Sequence, residues 1–201
     1  MGNLRSVSKA LEHVSNGLPV VITDDAAMVA AADRVVFPGQ GAMPDCMREL
    51  DARGLREVVI AAAREKPFLG ICVGLQMLFE HSEEGDVPGI GVFEGRVRRF
   101  PDEKMYLPSG ERLKVPHMGW NEVRQKPHAL WENIADGARF YFVHSYYVEP
   151  RDISLVEGTA EYGLPFTCAV GRDNIFATQF HPEKSARDGL QLLKNFVTWR
   201  P

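Results

Sequence analysis

The pentapeptide Gly70-Ile71-Cys72-Val73-Gly74 stands between a short apolar run, Phe68-Leu69-Gly70-Ile71, and a segment with helical spacing that begins at Val73. This junction limits the fold more than any other stretch of the chain. A sharp strand-to-helix turn forces its central residue into a strained backbone. Small residues two positions to either side let the chain pass without side-chain collisions. A buried strand feeding directly into a helix is also the unit from which parallel sheets with right-handed crossovers are assembled.

The segments before the turn keep the same rhythm. The pattern predicts a helix over 6–16 ended by Gly17, then a strand at Val20-Val21-Ile22. A short Ala-rich helix follows, capped by Asp24 or Asp25, and then a β-branched run, Arg34-Val35-Val36-Phe37, stopped by Pro38-Gly39-Gln40-Gly41. A helix is predicted over 51–66, because Leu55, Val58, Val59, Ala62 and Ala63 keep the spacing of one buried face. The strand at 68–71 and a helix over 73–81 complete this part.

Beyond Gly85 the texture changes to strands, at 91–100, 121–124, 139–149, 153–162, 165–170 and 175–180, which implies antiparallel or mixed pairing. The segment 101–116, with Pro108-Ser109-Gly110 inside it, reads as a surface hairpin or flap. An amphipathic helix over 185–199 closes the chain. No repeat, low-complexity tract or linker interrupts it, so residues 1–201 are expected to form a single α/β domain. At 201 residues, 45% hydrophobic and 25% charged, the chain is long and apolar enough to bury a core.

Charge and cysteine usage exclude several classes. With 23 Lys and Arg against 27 Asp and Glu, the net charge of −4 argues against a nucleic-acid binder held by excess basic charge. No run of about 18 apolar residues is present, and the opening Met1-Gly2-Asn3-Leu4-Arg5-Ser6 has no apolar core of a secretory signal, so a cytosolic protein is expected. Three cysteines, Cys46, Cys72 and Cys168, fit neither a disulfide framework nor a zinc site. Neither a metal nor another cofactor is expected.

Cys72 occupies the nucleophile position of an elbow, where helix N–H groups and the helix dipole favour a thiolate. The same pentapeptide also suits a small buried cysteine in a tight turn. Cys46 and Cys168 have no such setting and read as structural. A thiol nucleophile needs a proton acceptor held in one tautomer by a carboxylate. Gln179-Phe180-His181-Pro182-Glu183 offers both groups at the end of a strand, with His181 and Glu183 two residues apart and pointing the same way on extended backbone. A loop histidine beside an unrelated glutamate is the other reading. His13, His81 and His128 read as surface positions. For the oxyanion that attack on an amide develops, Pro38-Gly39-Gln40-Gly41 can present a backbone N–H at Gln40, and Val73, the residue after Cys72, supplies the second.

Taken together and in this order, Pro38-Gly39-Gln40-Gly41, Gly70-Ile71-Cys72-Val73-Gly74-Leu75-Gln76 and Gln179-Phe180-His181-Pro182-Glu183 resemble the class I glutamine amidotransferases. Gly2-Asn3-Leu4-Arg5-Ser6-Val7, Pro116-His117-Met118-Gly119-Trp120-Asn121 and Tyr141-Phe142-Val143-His144-Ser145-Tyr146 narrow the likeness to one branch, the glutaminase subunits of imidazole glycerol phosphate synthase. The resemblance implies a flavodoxin-like α/β domain: a central, mostly parallel sheet with helices on both faces and mixed or antiparallel strands in the second half.

It also implies hydrolysis of L-glutamine through a γ-glutamyl thioester, with the ammonia passed to a separate (β/α)8-barrel cyclase subunit in a heterodimer. There a ribulosyl intermediate, PRFAR, yields imidazole glycerol phosphate and AICAR in histidine biosynthesis. By motif position the likeness assigns Cys72 as nucleophile, His181 as base and acid, and Glu183 as the orienting carboxylate. Gln76 and Glu84 would hold the substrate, with backbone contacts from Gly41, Ser145 and Tyr146. Trp120, Asn121, Tyr141 and Lys184 would face the partner. For Trp120 a place in the core is the competing reading, and for Lys184 a solvated charge. The run Gly95-Arg96-Val97-Arg98-Arg99 reads as a solvated strand face.

Two other functions stay open on sequence: a glutaminase serving a different synthase, and a catalytically silent regulatory subunit. The family opens with a strand and loop before Gly-Asn-Leu-Arg-Ser, whereas this sequence starts at Met1-Gly2. The expectation is therefore that a central strand is missing, and that a form extended by about ten residues is the more stable one, since loss of such a strand exposes neighbouring apolar faces.

Overall fold

The computed structural model describes residues 2–201. Helix α1 (Gly2–Val14) buries Val7 and Leu11 and packs on the closing helix; Asn16 and Gly17, both at positive φ, end its turn. The next three residues depart from expectation. Val20-Val21-Ile22 joins no ladder, and the Val21 and Ile22 side chains stay more than half exposed. β-branched residues favour a strand only where a neighbouring strand accepts them. Helix α2 (Ala26–Ala31) is capped as expected, by Asp25, whose Oδ1 accepts the Ala27 N–H at 2.8 Å.

Strand β1 (Val35–Gly39) runs through Pro38 and Gly39 instead of stopping before them. It can do so because it is the end strand of its sheet, where proline is tolerated. The single helix predicted over 51–66 is instead two, α3 (Met43–Ala52) and α4 (Arg56–Glu65). Gly54, at φ +64°, breaks them. Its N–H and that of Leu55 turn back onto the Asp51 and Leu50 carbonyls, each at 3.0 Å. The buried face of α4 is the predicted one, carried by Val59, Ala62 and Ala63.

After β2 (Phe68–Cys72), helix α5 (Val73–Met77) lasts only five residues, so the helix expected to reach residue 81 is cut short. Phe79 enters a ladder instead: β3 (Phe79–Ser82) pairs antiparallel with β4 (Val87–Pro88) and parallel with β5 (Phe93–Arg99). Tertiary pairing has overridden a local helical pattern.

The remaining strands are β6 (His117–Glu122), β7 (Arg124–Gln125), β8 (Arg139–His144), β9 (Tyr146–Pro150), β10 (Val156–Glu161), β11 (Pro165–Arg172) and β12 (Ile175–Thr178), before helix α6 (Ala186–Thr198). The strand expected over 139–149 is divided at Ser145, and Ile153–Leu155 is a 3-10 turn. The segment 101–116 forms the expected hairpin, closed by Leu107 and Glu111 at 2.8 Å.

Ten strands form one mixed sheet, along the path β1-β2-β12-β11-β9-β5-β3-β4, with β10 beside β11 and β7 beside β10. Strands β1, β2 and β12 are parallel, and pairing from β12 through β11 and β9 to β5 is antiparallel. Strands β6 and β8 make a separate ribbon. Register brings the chemistry together: Gly39 lies opposite Cys72, and Thr178 opposite Ile71. The glycine turn after β1, the elbow after β2 and the segment after β12 therefore open at one end of the sheet, where parallel strands present functional groups. Among the described residues no helix is long and apolar enough to cross a membrane, and no three His, Cys, Asp or Glu side chains cluster as metal ligands would.

Candidate active site

Cys72 sits at φ 56° and ψ −112°, a conformation that non-glycine residues rarely occupy and that surrounding structure must enforce. Gly74 enforces it: a Cβ there would collide with the Phe37 carbonyl, so α5 lies directly on the backbone of β1. Gly39 is held as closely, since a Cβ there would come within 2.7 Å of the Gly74 nitrogen. The sulfur is 5% exposed with its residue. Its thiol lies 4.0 Å from the Val143 carbonyl.

His181 and Glu183 meet as their spacing suggested. His181 Nδ1 lies 2.9 Å from Glu183 Oε1, so Nδ1 carries the proton, and the other ring nitrogen is left for its hydrogen bond with Cys72. Burial opposes charge on this imidazole, but the hydrogen bonds to Cys72 and Glu183 and the charges of those groups outweigh it, lifting His181 to about 9. Both side chains are shielded, His181 at 5% exposure and Glu183 at 0%. The Glu183 Oε2 atom is buried with no hydrogen-bond partner.

Two backbone supports for His181 were not readable from sequence. Its N–H donates to the Tyr141 carbonyl at 2.9 Å, and its carbonyl accepts from Ser185 Oγ at 2.6 Å. Ser185 Oγ in turn accepts the Tyr141 N–H at 2.9 Å.

A cavity of about 310 Å³ opens on Cys72 and His181, and its wall contains every residue expected to bind substrate: Gly41, Gln76, Glu84, Ser145 and Tyr146. The two expected oxyanion positions, Gln40 and Val73, line it too, as does Lys184. Glu84 does a further thing that sequence did not reveal. Its Oε2 accepts the Met43 N–H at 2.8 Å, which caps α3 immediately after the glycine turn. The Gln40 carbonyl accepts from Cys46 Sγ at 3.3 Å. Burial pushes the Cys46 thiol up, and it pushes the wholly buried Cys168 much further up, which suits structural roles for both.

Three buried polar side chains complete the surroundings. Gln179 joins Gln76 and Cys72, and His144 Nε2 meets His117 Nδ1 at 3.0 Å. Burial depresses both imidazoles, His117 to about 4 and His144 to about 3, so the pair is neutral. His128, expected at the surface, is half-buried instead, with its ring against Phe176 and Trp199 and its Nδ1 accepting the Leu130 N–H.

The residues expected at a partner surface lie on the β6–β8 ribbon and at the cavity rim. Met118 and Trp120 are exposed, at 62% and 46%, and the Trp120 ring stands edge-on to Tyr141 with centroids 6.0 Å apart. The core reading of Trp120 does not hold. Asn121 is committed within the fold, donating from Nδ2 to the Glu161 carbonyl at 2.8 Å. Lys184 is exposed.

A profile of the family described as Glutamine amidotransferase class-I matches residues 2–199. The chain is 81% identical over 201 residues to the imidazole glycerol phosphate synthase subunit HisH of Dechloromonas aromatica (strain RCB), covering 100% of this chain and 94% of that one. The HisH subunit of Aromatoleum aromaticum is 68% identical over 202 residues, covering 100% of this chain and 95% of the relative. Among solved structures, a glutamine amidotransferase superposes with a TM-score of 0.70 at 17% identity, covering 98% and 93% of the two chains. The glutaminase domain of Trypanosoma brucei CTPS, solved with bound acivicin, does so at 0.61 and 14% identity, covering 98% and 89%. At such identities the structural likeness concerns the fold alone.

Proposed function

This chain belongs to the class-I glutamine amidotransferases, and on that premise we propose that it is the glutaminase subunit of an imidazole glycerol phosphate synthase, hydrolysing L-glutamine to glutamate and ammonia. One observation carries the reading: the Cys72, His181 and Glu183 side chains stand in a hydrogen-bonded row whose first two members line a cavity together with Gln76 and Glu84.

Each residue then takes a role in this reading. Gln76 Nε2 is committed to the Gln179 oxygen and the Tyr146 carbonyl, so its own Oε1 is the atom that accepts the α-ammonium of glutamine, together with the Glu84 carboxylate. Backbone groups of Gly41, Ser145 and Tyr146 receive the two ends of the amino acid. His181 takes the thiol proton, and Cys72 attacks the side-chain carbonyl. The tetrahedral oxyanion is met by the N–H groups of Gln40 and Val73. His181 then gives its proton to the departing ammonia. Water, activated by the same imidazole, releases glutamate from the γ-glutamyl thioester. Glu183 keeps the proton on Nδ1 throughout.

Ammonia loses its nucleophilicity once protonated in bulk water, so the product needs a dry route to its acceptor. The exposed Met118 and Trp120, with Tyr141 beside them and Lys184 at the cavity rim, offer an apolar anchor with a charged edge for a cyclase subunit of (β/α)8 form. The test is glutamate release by this chain alone, with the cyclase, and with cyclase plus PRFAR, beside a Cys72→Ala control. Release that rises with the liganded partner and vanishes in Cys72→Ala is the expected result. Release that survives the substitution, or absence of release in every mixture, overturns the reading.

A further inference from the structure

Gln179 follows β12 and is wholly buried between the nucleophile and the glutamine that lines the substrate cavity. Its backbone N–H donates to the Cys168 carbonyl at 2.8 Å, which keeps it in line with β11. Its side-chain Oε1 accepts from Gln76 Nε2 at 3.0 Å, and its Nε2 donates to Cys72 Sγ at 3.8 Å.

The orientation of this carboxamide is determined by its neighbours. The Tyr146 carbonyl can only accept, so His144, 2.8 Å away, carries its proton on Nδ1, and its Nε2 accepts from His117. The same carbonyl takes the second group that approaches it, Gln76 Nε2, at 3.2 Å. With the Gln76 nitrogen thus fixed as a donor, Gln179 must turn its oxygen toward Gln76. Its nitrogen is then left facing sulfur.

We propose that Gln179 is a positioning residue with two linked tasks: it turns the Gln76 oxygen toward the α-ammonium of the substrate, and it directs an N–H at the Cys72 sulfur. The first task rests on the glutaminase reading; the second does not. An N–H gives more to a thiolate than to a thiol or a thioester, because a charged acceptor makes the stronger hydrogen bond. The contact therefore favours the form of Cys72 that attacks and the form that leaves when water releases glutamate. Nucleophile and substrate clamp share one support.

Two variants separate the tasks. Gln179→Glu keeps the length and an acceptor for Gln76 but loses the donor to sulfur, whereas Gln179→Met keeps the volume and loses both. The first readout is the rate of Cys72 alkylation by iodoacetamide against pH in the full chain, with Cys72→Ala correcting for Cys46 and Cys168; it needs no turnover. His181, the other titrating group on the sulfur, is common to all the proteins compared. Gln179→Met is expected to move the profile to higher pH by about one unit, the effect of losing one hydrogen bond to a charged group, and Gln179→Glu, whose carboxylate also repels a thiolate, by more.

The second readout is glutamine turnover in the complex with the cyclase. The expected split is a kcat lowered about tenfold with KM little changed for Gln179→Glu, and a raised KM as well for Gln179→Met. Profiles that superimpose on the wild type in whichever variant folds, melting temperature being the check on folding, overturn the proposal and leave Gln179 a structural amide. An alkylation shift in a chain whose wild type releases no glutamate in any mixture overturns the glutaminase reading while upholding the sulfur contact.

Discussion

The carbonyl of Tyr141 accepts the backbone N–H of His181 at 2.9 Å, while the ring of Tyr141 stands edge-on to the exposed Trp120. One strand, β8, thus both holds the proposed base and supports the ring offered to a partner. Trp120→Ala is expected to weaken binding of the cyclase subunit by about 2 kcal/mol or more, the cost of losing a central aromatic anchor. Calorimetric titration measures this directly, and glutamate release should recover at saturating partner. An unchanged Kd would remove Trp120 from the interface.

The backbone at Cys72 makes a second prediction. Alanine normally stabilises a chain relative to glycine by restricting the unfolded state, but at φ 56° it carries a penalty in the folded one. The usual order should reverse: Cys72→Gly melts above Cys72→Ala, and both are inactive. Equal melting temperatures would mean that the elbow stores no strain.

Gly74 is the counterpart of that strain. With the Phe37 carbonyl occupying the place of a Cβ, Gly74→Ala must push α5 off β1, and a loss of several kcal/mol is expected, of the order of overpacking in a core. The midpoint of urea unfolding reports it. A midpoint within experimental scatter of the wild type would show that the helix can shift at no cost.

On the acid side, His117 and His144 govern a stability window. Burial holds them at about 4 and about 3, against an ordinary 6.5, so the unfolded chain takes up protons that the folded chain refuses. Stability is therefore lost as pH falls from 6.5 toward 3. His117→Gln, which keeps a donor toward His144 Nε2 without titrating, should make that fall shallower. An identical slope in the variant would assign the acid sensitivity to other groups.

The alkaline side has the opposite sign. His181, lifted to about 9 against burial by its bonds and charges with Cys72 and Glu183, contributes stability that is fully present below 6.5 and is lost as pH rises through 9. Glu183→Gln should flatten this alkaline limb and lower kcat about a hundredfold or more, because the imidazolium formed in the reaction loses its counter-charge. A variant with unchanged kcat would show that Glu183 has no orienting role.

Much of the site could be read before the fold was known, because its parts are local in sequence. A cysteine between spaced glycines, and a histidine and glutamate separated by one proline, carry their chemistry within five residues. The relations that require register could not be read. His117 and His144 are 27 positions apart and share a hydrogen bond only because β6 and β8 place them opposite one another. The double use of Glu84 and the buried amide of Gln179 depend likewise on which elements end side by side. Among the elements, the break at Gly54 and the early end of α5 escaped the pattern reading, since apolar spacing continues through both. Val20-Val21-Ile22 failed for the converse reason: a sequence suited to a strand has no strand to pair with.

Pro38 has an effect well away from catalysis. The N–H of Val35 points inward to the Pro67 carbonyl, so by the alternation of the ladder the nitrogens of Val36 and Pro38 face out from β1, the end strand of the sheet. An open edge of this kind is where one molecule can add to the next, backbone to backbone, into an ordered fibre. Proline has no N–H to offer an incoming chain there. The residue that introduces the glycine turn beside the nucleophile thereby also removes one backbone donor from the outer side of β1.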